Sequence, residues 1–94
     1  MATTPTIDLR RYIDKRHFGE RPHIRGRRLP VAVIVSAARD NEGYGVPELM
    51  YAYDLSETEV LAALLYYSQH QADIDAQEAA LREAYADYLR SDAP

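Results

Sequence analysis

The sequence predicts a mainly α protein: a short N-terminal β element, a trihelical helix-turn-helix-like core and a C-terminal helix. Three observations carry that expectation. Ser56 is followed three residues later by Glu59 at the head of an apolar run, the two ends of a capping box. Behind Pro30, residues Val31, Ile34, Val35 and Ala38 recur at the i, i+3, i+4, i+7 spacing of one helical face. Gly26 stands between two short extended stretches, where a tight turn belongs. With 94 residues, 47% of them hydrophobic, the chain fits one compact domain of modest stability rather than a disordered tail.

Residues 1–9 read as a flexible polar lead. The basic β element spans 10–30, with Leu9 to Ile13 as a short strand, a loop from His17 to Pro22 containing Gly19, and the Gly26 turn. The core is assigned to 31–71. Its first segment, Val31 to Val35, has the β-branched content of a buried strand. Pro30 suits the first turn of a helix, however, and together with the face above it decides for helix. Gly43 and Gly45 break the chain around Tyr44, and Pro47 opens a short helix with Val46, Leu49, Met50 and Tyr53 inward. The capped helix after Ser56 carries Val60, Ala63, Leu64 and Tyr67 on one face and Leu61, Ala62 and Leu65 on the other. A helix apolar all round is enclosed, at the centre of a domain or in a subunit interface. That places Leu61, Ala62 and Leu65 as the expected contact of a homodimer. Residues 72–94 form the C-terminal acidic helix, started by Asp75 and Glu78, with Leu81, Ala84, Tyr85 and Tyr88 at helical spacing.

The net charge of −4 conceals a division. Residues 1–30 hold eight basic side chains against three acidic ones, a net +5, and residues 31–94 hold three against twelve, a net −9. The first block is suited to an anionic partner and the second to a cationic one, unless the two neutralise each other within one fold or across a dimer. The longest apolar runs, Leu29 to Val35 and Val60 to Tyr67, are less than half the roughly 20 residues of a bilayer span. The opening residues lack the apolar stretch of a secretory signal, and the chain has no cysteine, so a cytoplasmic location is the expectation.

Little points to catalysis or to a cofactor. His17, His23 and His70 have no metal-site spacing, so no metal is expected. No Gly-x-Ser-x-Gly elbow or phosphate-cradling glycine loop occurs. The carboxylates of the helical half fall mostly at exposed positions, as in a solvated face. For nucleic acid, the capped helix would present Ser56, Glu57, Thr58 and Glu59 to the groove, and two glutamates there repel phosphate. Any DNA contact must come from Arg10, Arg11, Arg25, Arg27 and Arg28.

Three segments in fixed order carry a resemblance: Arg21-Pro-His-Ile-Arg-Gly-Arg-Arg-Leu-Pro-Val31, then Val46-Pro-Glu-Leu-Met50, then Tyr53 to Val60 followed by Ala62-Ala-Leu-Leu-Tyr-Tyr67. Together they resemble the domain-of-unknown-function family 433, antitoxin-like small helix-turn-helix proteins of the VapB type, over roughly residues 12–75. That family typically reads Gly-x-Pro-x-Ile-x-Gly-Thr-Arg-Ile-Pro-Val, then an acidic Asp-Leu-Thr segment leading into Ala-Leu-x-Tyr. Here Glu20 and Arg21 precede Pro22 where Gly and a basic residue are usual, and Arg27 replaces the usual Thr, adding a charge suited to an anionic partner.

The resemblance implies an antitoxin that neutralises a PIN-like nuclease toxin; antitoxins often repress their own operon as well, which would make operator DNA a second partner. The alternative is a stand-alone DNA-binding regulator. For the toxin contact, two geometries compete. Arg25, Arg27 and Arg28 could enter the acidic metal cluster that PIN-like nucleases hold, with Arg82 and Arg90 as a second choice. Otherwise the acidic helix, with Asp75, Glu78, Glu83 and Asp87, covers a basic RNA-binding surface of the toxin.

Overall fold

The computed structural model describes residues 7–15, 21–40 and 44–91. The elements run α1 (Leu9–Tyr12), β1 (Ile13–Asp14), β2 (His23–Ile24), α2 (Val31–Asp40), α3 (Val46–Tyr53), α4 (Glu57–Gln69) and α5 (Gln71–Ser91). This is the expected mainly α order with a small N-terminal sheet. Met1 to Thr6, His17, Gly19, Glu20 and Gly43 lie outside the described residues.

The segment Leu9 to Ile13 differs from the expected strand. Asp8 accepts a hydrogen bond from the Arg10 amide and caps one helical turn, so pairing begins only at Ile13. Ile7, Leu9 and Tyr12 are half-buried against the core, so the end of the supposed lead is packed. In the sheet, antiparallel β1 and β2 pair Ile13 with Ile24 and Asp14 with His23. Beyond β2, the Arg27 amide returns to the Ile24 carbonyl (3.0 Å) across Gly26, whose φ of 77° is the left-handed value that the third residue of a type II turn requires.

Helix α4 occupies the centre. Its capping box is complete: Ser56 Oγ accepts from the Glu59 amide (3.1 Å) and Glu59 Oε1 from the Ser56 amide (2.8 Å). Val60, Ala62 and Ala63 are fully buried, and α1, both strands, α2 and α3 all pack on this one helix. Two adjacent alanines let neighbouring backbones approach from two sides. The core is completed by Ile13, Ile24, Val31, Ile34, Val35, Ala37, Leu49, Leu55 and Ile74.

Helix α5 begins at Gln71, four residues before the expected Asp75 start, because the Ile74 amide already bonds to the His70 carbonyl (3.0 Å). His70 alone separates the two helices, with φ −132° and ψ 29°. Ile74 is the one buried side chain among the described residues of α5. The rest of the 21-residue helix runs outward and gives the molecule extents of 64 × 28 × 23 Å. Among the described residues, no helix is long and apolar enough to cross a membrane.

Candidate functional site

Two of the five arginines expected to meet a partner serve the fold itself. Arg27 donates to the carbonyls of Tyr53 and Asp54, both at 2.8 Å. These are the exposed carbonyls at the end of α3, where Asp54 takes up the left-handed conformation (φ 54°) and the Leu55 amide returns to Met50. A guanidinium fork is a good cap for two such carbonyls at the negative end of a helix. The charge that replaces a small residue is therefore a clamp between the Gly26 turn and α3, not an open anion ligand. Arg25 donates to the Arg10 carbonyl (2.7 Å) and lies 3.5 Å from the buried carboxylate of Asp14.

The remaining three stay outside. Arg10 lies 3.5 Å from the exposed Asp8, a pair of little strength in water. Arg11 and Arg28 are exposed, and their side chains make no ion pair or hydrogen bond with a described residue.

The expected dimer contact on α4 is also redistributed. Ala62 is 0% exposed within the single chain, enclosed by the neighbours of α4, and cannot meet a second copy. Leu61 and Leu65 reach the surface, but only about a third of each does so (37% and 36%). The apolar second face of α4 is largely explained by its central position.

On α5 the candidate residues divide by distance from the body. Glu78 accepts a two-pronged contact from Arg21 (2.7 and 2.5 Å), half-buried on both sides. Asp75 accepts from the Tyr67 hydroxyl (2.8 Å), which in turn accepts from Arg39 (2.8 Å). The hydrogen bond to the Asp75 carboxylate raises the Tyr67 pKa above the usual phenol value; partial burial acts the same way, and the nearby Arg39 opposes it. These two carboxylates fasten the first turns of α5. Farther out, Arg82 and Glu83 are exposed, and Asp87 pairs with Arg90 one turn on.

An open groove of about 450 Å³ lies under this attachment, between α2, α4 and the start of α5, with Ser36, Arg39, Tyr67, Asp75, Glu78 and Arg82 on its walls. Both charge signs line it: Arg39 is linked to Asp75 through the Tyr67 hydroxyl, Glu78 is held by Arg21, and Arg82 is exposed. Beyond the groove, Leu81, Tyr85 and Tyr88 continue the face that begins at the buried Ile74, and with Leu89 they are exposed (Tyr85 by 65%). Of the histidines, His23 is buried in β2 with Nδ1 donating to the Arg21 carbonyl (3.0 Å). His70 forms the α4–α5 joint, its ring stacked on Tyr66. Among the described residues, no group of three or more His, Cys, Asp or Glu could hold a metal.

Sequence reasoning missed Arg21, Arg39 and Tyr67. Each acts through a partner far along the chain, and no local pattern marks such a pairing. The glutamates expected to repel phosphate at the start of α4 are in place, with Glu59 committed to the cap and Glu57 exposed.

The model of a protein family, described as "Protein of unknown function (DUF433)", matches residues 12–67. No curated protein and no solved structure matches the chain.

Proposed function

The chain belongs to the DUF433 family, and from that premise we propose that it is a non-catalytic interaction protein, the antitoxin of a toxin–antitoxin pair, which neutralises a PIN-like nuclease through α5. The observation that carries this reading is the projecting half of α5. Leu81, Tyr85, Tyr88 and Leu89 lie exposed on a helix whose one buried side chain among the described residues is Ile74. A helix presenting such a stripe with mixed charges on its flanks suits a groove on another protein. Of the two toxin geometries, the one led by Arg25, Arg27 and Arg28 loses support, because Arg25 and Arg27 already serve internal carbonyls and Asp14. On the acidic helix Asp75 and Glu78 are likewise committed, to Tyr67 and Arg21, so the outer residues Glu83 and Asp87 beside the exposed Leu81 and Tyr85 are what support that geometry. The alternative, a stand-alone DNA-binding regulator, has Arg10, Arg11 and Arg28 in its favour and the glutamates of α4 against it.

The test is co-expression with the product of the adjacent reading frame. Deleting residues from Leu81 onward spares Ile74, Asp75 and Glu78, so the body keeps its attachments. That truncation is expected to abolish capture and neutralisation of the toxin, while Arg11→Ala with Arg28→Ala leaves both largely intact. Neutralisation that survives the truncation, or a neighbour that never binds, would remove the assignment.

A further inference from the structure

Helix α3 turns Leu49 inward and leaves its opposite face open. Tyr51 is 92% exposed, more than any other large hydrophobic side chain among the described residues. Pro47, Glu48, Tyr51 and Ala52 fall at i, i+1, i+4 and i+5, which brings them to one side of the helix. Together with Tyr44, just ahead of the helix, they line an open groove of about 400 Å³. The walls are aromatic and aliphatic, and the groove has one charge, the Glu48 carboxylate. That carboxylate makes no ion pair or hydrogen bond with a described residue. Its Oε2 lies over Gly45, 3.0 Å from where a Cβ on that residue would stand, at the Tyr44 end of the groove.

The surroundings carry the same sign. Residues 44–69, which form α3, α4 and the joint between them, hold four carboxylates and no lysine, arginine or histidine. Arg27 does reach α3, but both its donors are committed to carbonyls at the far end of the helix.

We infer that this groove docks an arginine side chain carried on an extended segment of a partner protein, with the guanidinium lying on a tyrosine ring and its edge paired with Glu48. The chemistry selects that occupant. A planar guanidinium can stack on a ring and still direct two N–H groups to one carboxylate, whereas a compact ammonium cannot do both. The apolar stem of the same side chain covers Pro47 and Ala52. Other occupants fit less well. Nucleic acid brings phosphates against four carboxylates. An uncharged proline-rich segment stacks on the rings but leaves Glu48 covered without a partner. A second α3 laid on the first sets one acidic surface against another. The groove shares no residue with α5, so the inference goes beyond the antitoxin reading and does not rest on it.

The test is an NMR titration of the isotope-labelled full chain with the capped peptide Gly-Ser-Arg-Ser-Gly, alongside the same peptide carrying lysine or glutamate at its centre. The arginine peptide is expected to shift the amides of Tyr44, Glu48, Tyr51 and Ala52 saturably, with a Kd on the order of 1 mM for so small a probe. The lysine peptide is expected to bind more weakly and the glutamate peptide not at all. Glu48→Gln and Tyr51→Ala, both at exposed positions, should each weaken the arginine peptide at least about threefold, with circular dichroism checking that the variants still fold. No saturable shift by about 10 mM overturns the inference. So does a response centred on the carboxylates of α5, one equal for lysine and arginine, or one undiminished in both variants. Tighter binding of an uncharged proline-rich peptide at these amides gives the groove to that class and overturns it as well. A chain that self-associates, and loses that association in both variants, places a second copy there with the same result.

Discussion

Helices α4 and α5 are joined through one residue, yet the first is wrapped by nearly every other element and the second buries Ile74 alone among its described residues. Their sequences differ accordingly. Helix α4 holds Val60, Leu61, Ala62, Ala63, Leu64 and Leu65 in succession and owes its stability to burial. Helix α5 contains six alanines between Ala72 and Ala86, with Gln, Glu, Leu and Arg around them, all strong helix formers. Helices shorter than roughly 12–15 residues are marginal alone, and α5 has 21. Propensity and a few attachments at its inner end hold it in helical form where packing does not. A helix can therefore be well formed for two unrelated reasons, and substitutions separate them.

The largest effect belongs to the body. Leu49→Ala, at a fully enclosed site, is expected to cost about 2–5 kcal/mol, read from the urea unfolding midpoint. A loss under about 1 kcal/mol would make the body as loosely packed as α5. Next comes the clamp: Arg27→Ala removes both side-chain donors from the end of α3 and is expected to cost about 1 kcal/mol. Lysine there should recover only part of the loss, since one ammonium does not reproduce the planar fork. If Arg27→Ala were silent, α3 would end on Asp54 and Leu55 alone.

A smaller effect concerns the attachment of α5. Because the Tyr67 pKa is raised in the folded chain, its contribution is fully present below the ordinary phenol value and is lost as pH climbs through the raised one. Amide exchange in the first turns of α5 should therefore accelerate, beyond the intrinsic dependence on base, only in strongly alkaline solution. Tyr67→Phe should remove that step, and its persistence in the variant would place the titrating group elsewhere. The smallest effect is expected from Leu81→Ala combined with Tyr85→Ala, whose cost to unfolding stability in dilute protein should stay within about 0.5 kcal/mol. A penalty above about 1 kcal/mol would mean that the outer face of α5 is packed within the single chain.

Much of the fold was legible because its signals are local. The capping box of Ser56 and Glu59, Pro30 ahead of α2, and Gly26 in its turn each act within a few residues, and each stands where the sequence put it. The one-turn helix at Leu9–Tyr12 offers no period in four residues, and its deciding feature is the Asp8 cap. The site was less legible. Arg25 and Arg27 look like any basic turn, and their commitment to Asp14, Asp54 and Tyr53 depends on how elements pack. The same applies to Ala62, whose apolar face signalled enclosure without saying whether by its own chain or another's.

The joint at His70 makes α5 a lever. With 21 residues at about 1.5 Å each, its arm is roughly 30 Å long. Its fulcrum is a single non-helical residue between rigid rods, and Ile74, Asp75 and Glu78 grip it close to the pivot. A tilt of about 10° at that pivot sweeps the far end through roughly 5 Å, about one helical turn. Any adjustment in the grip of Arg21 and Tyr67 would reach the tip magnified in this way.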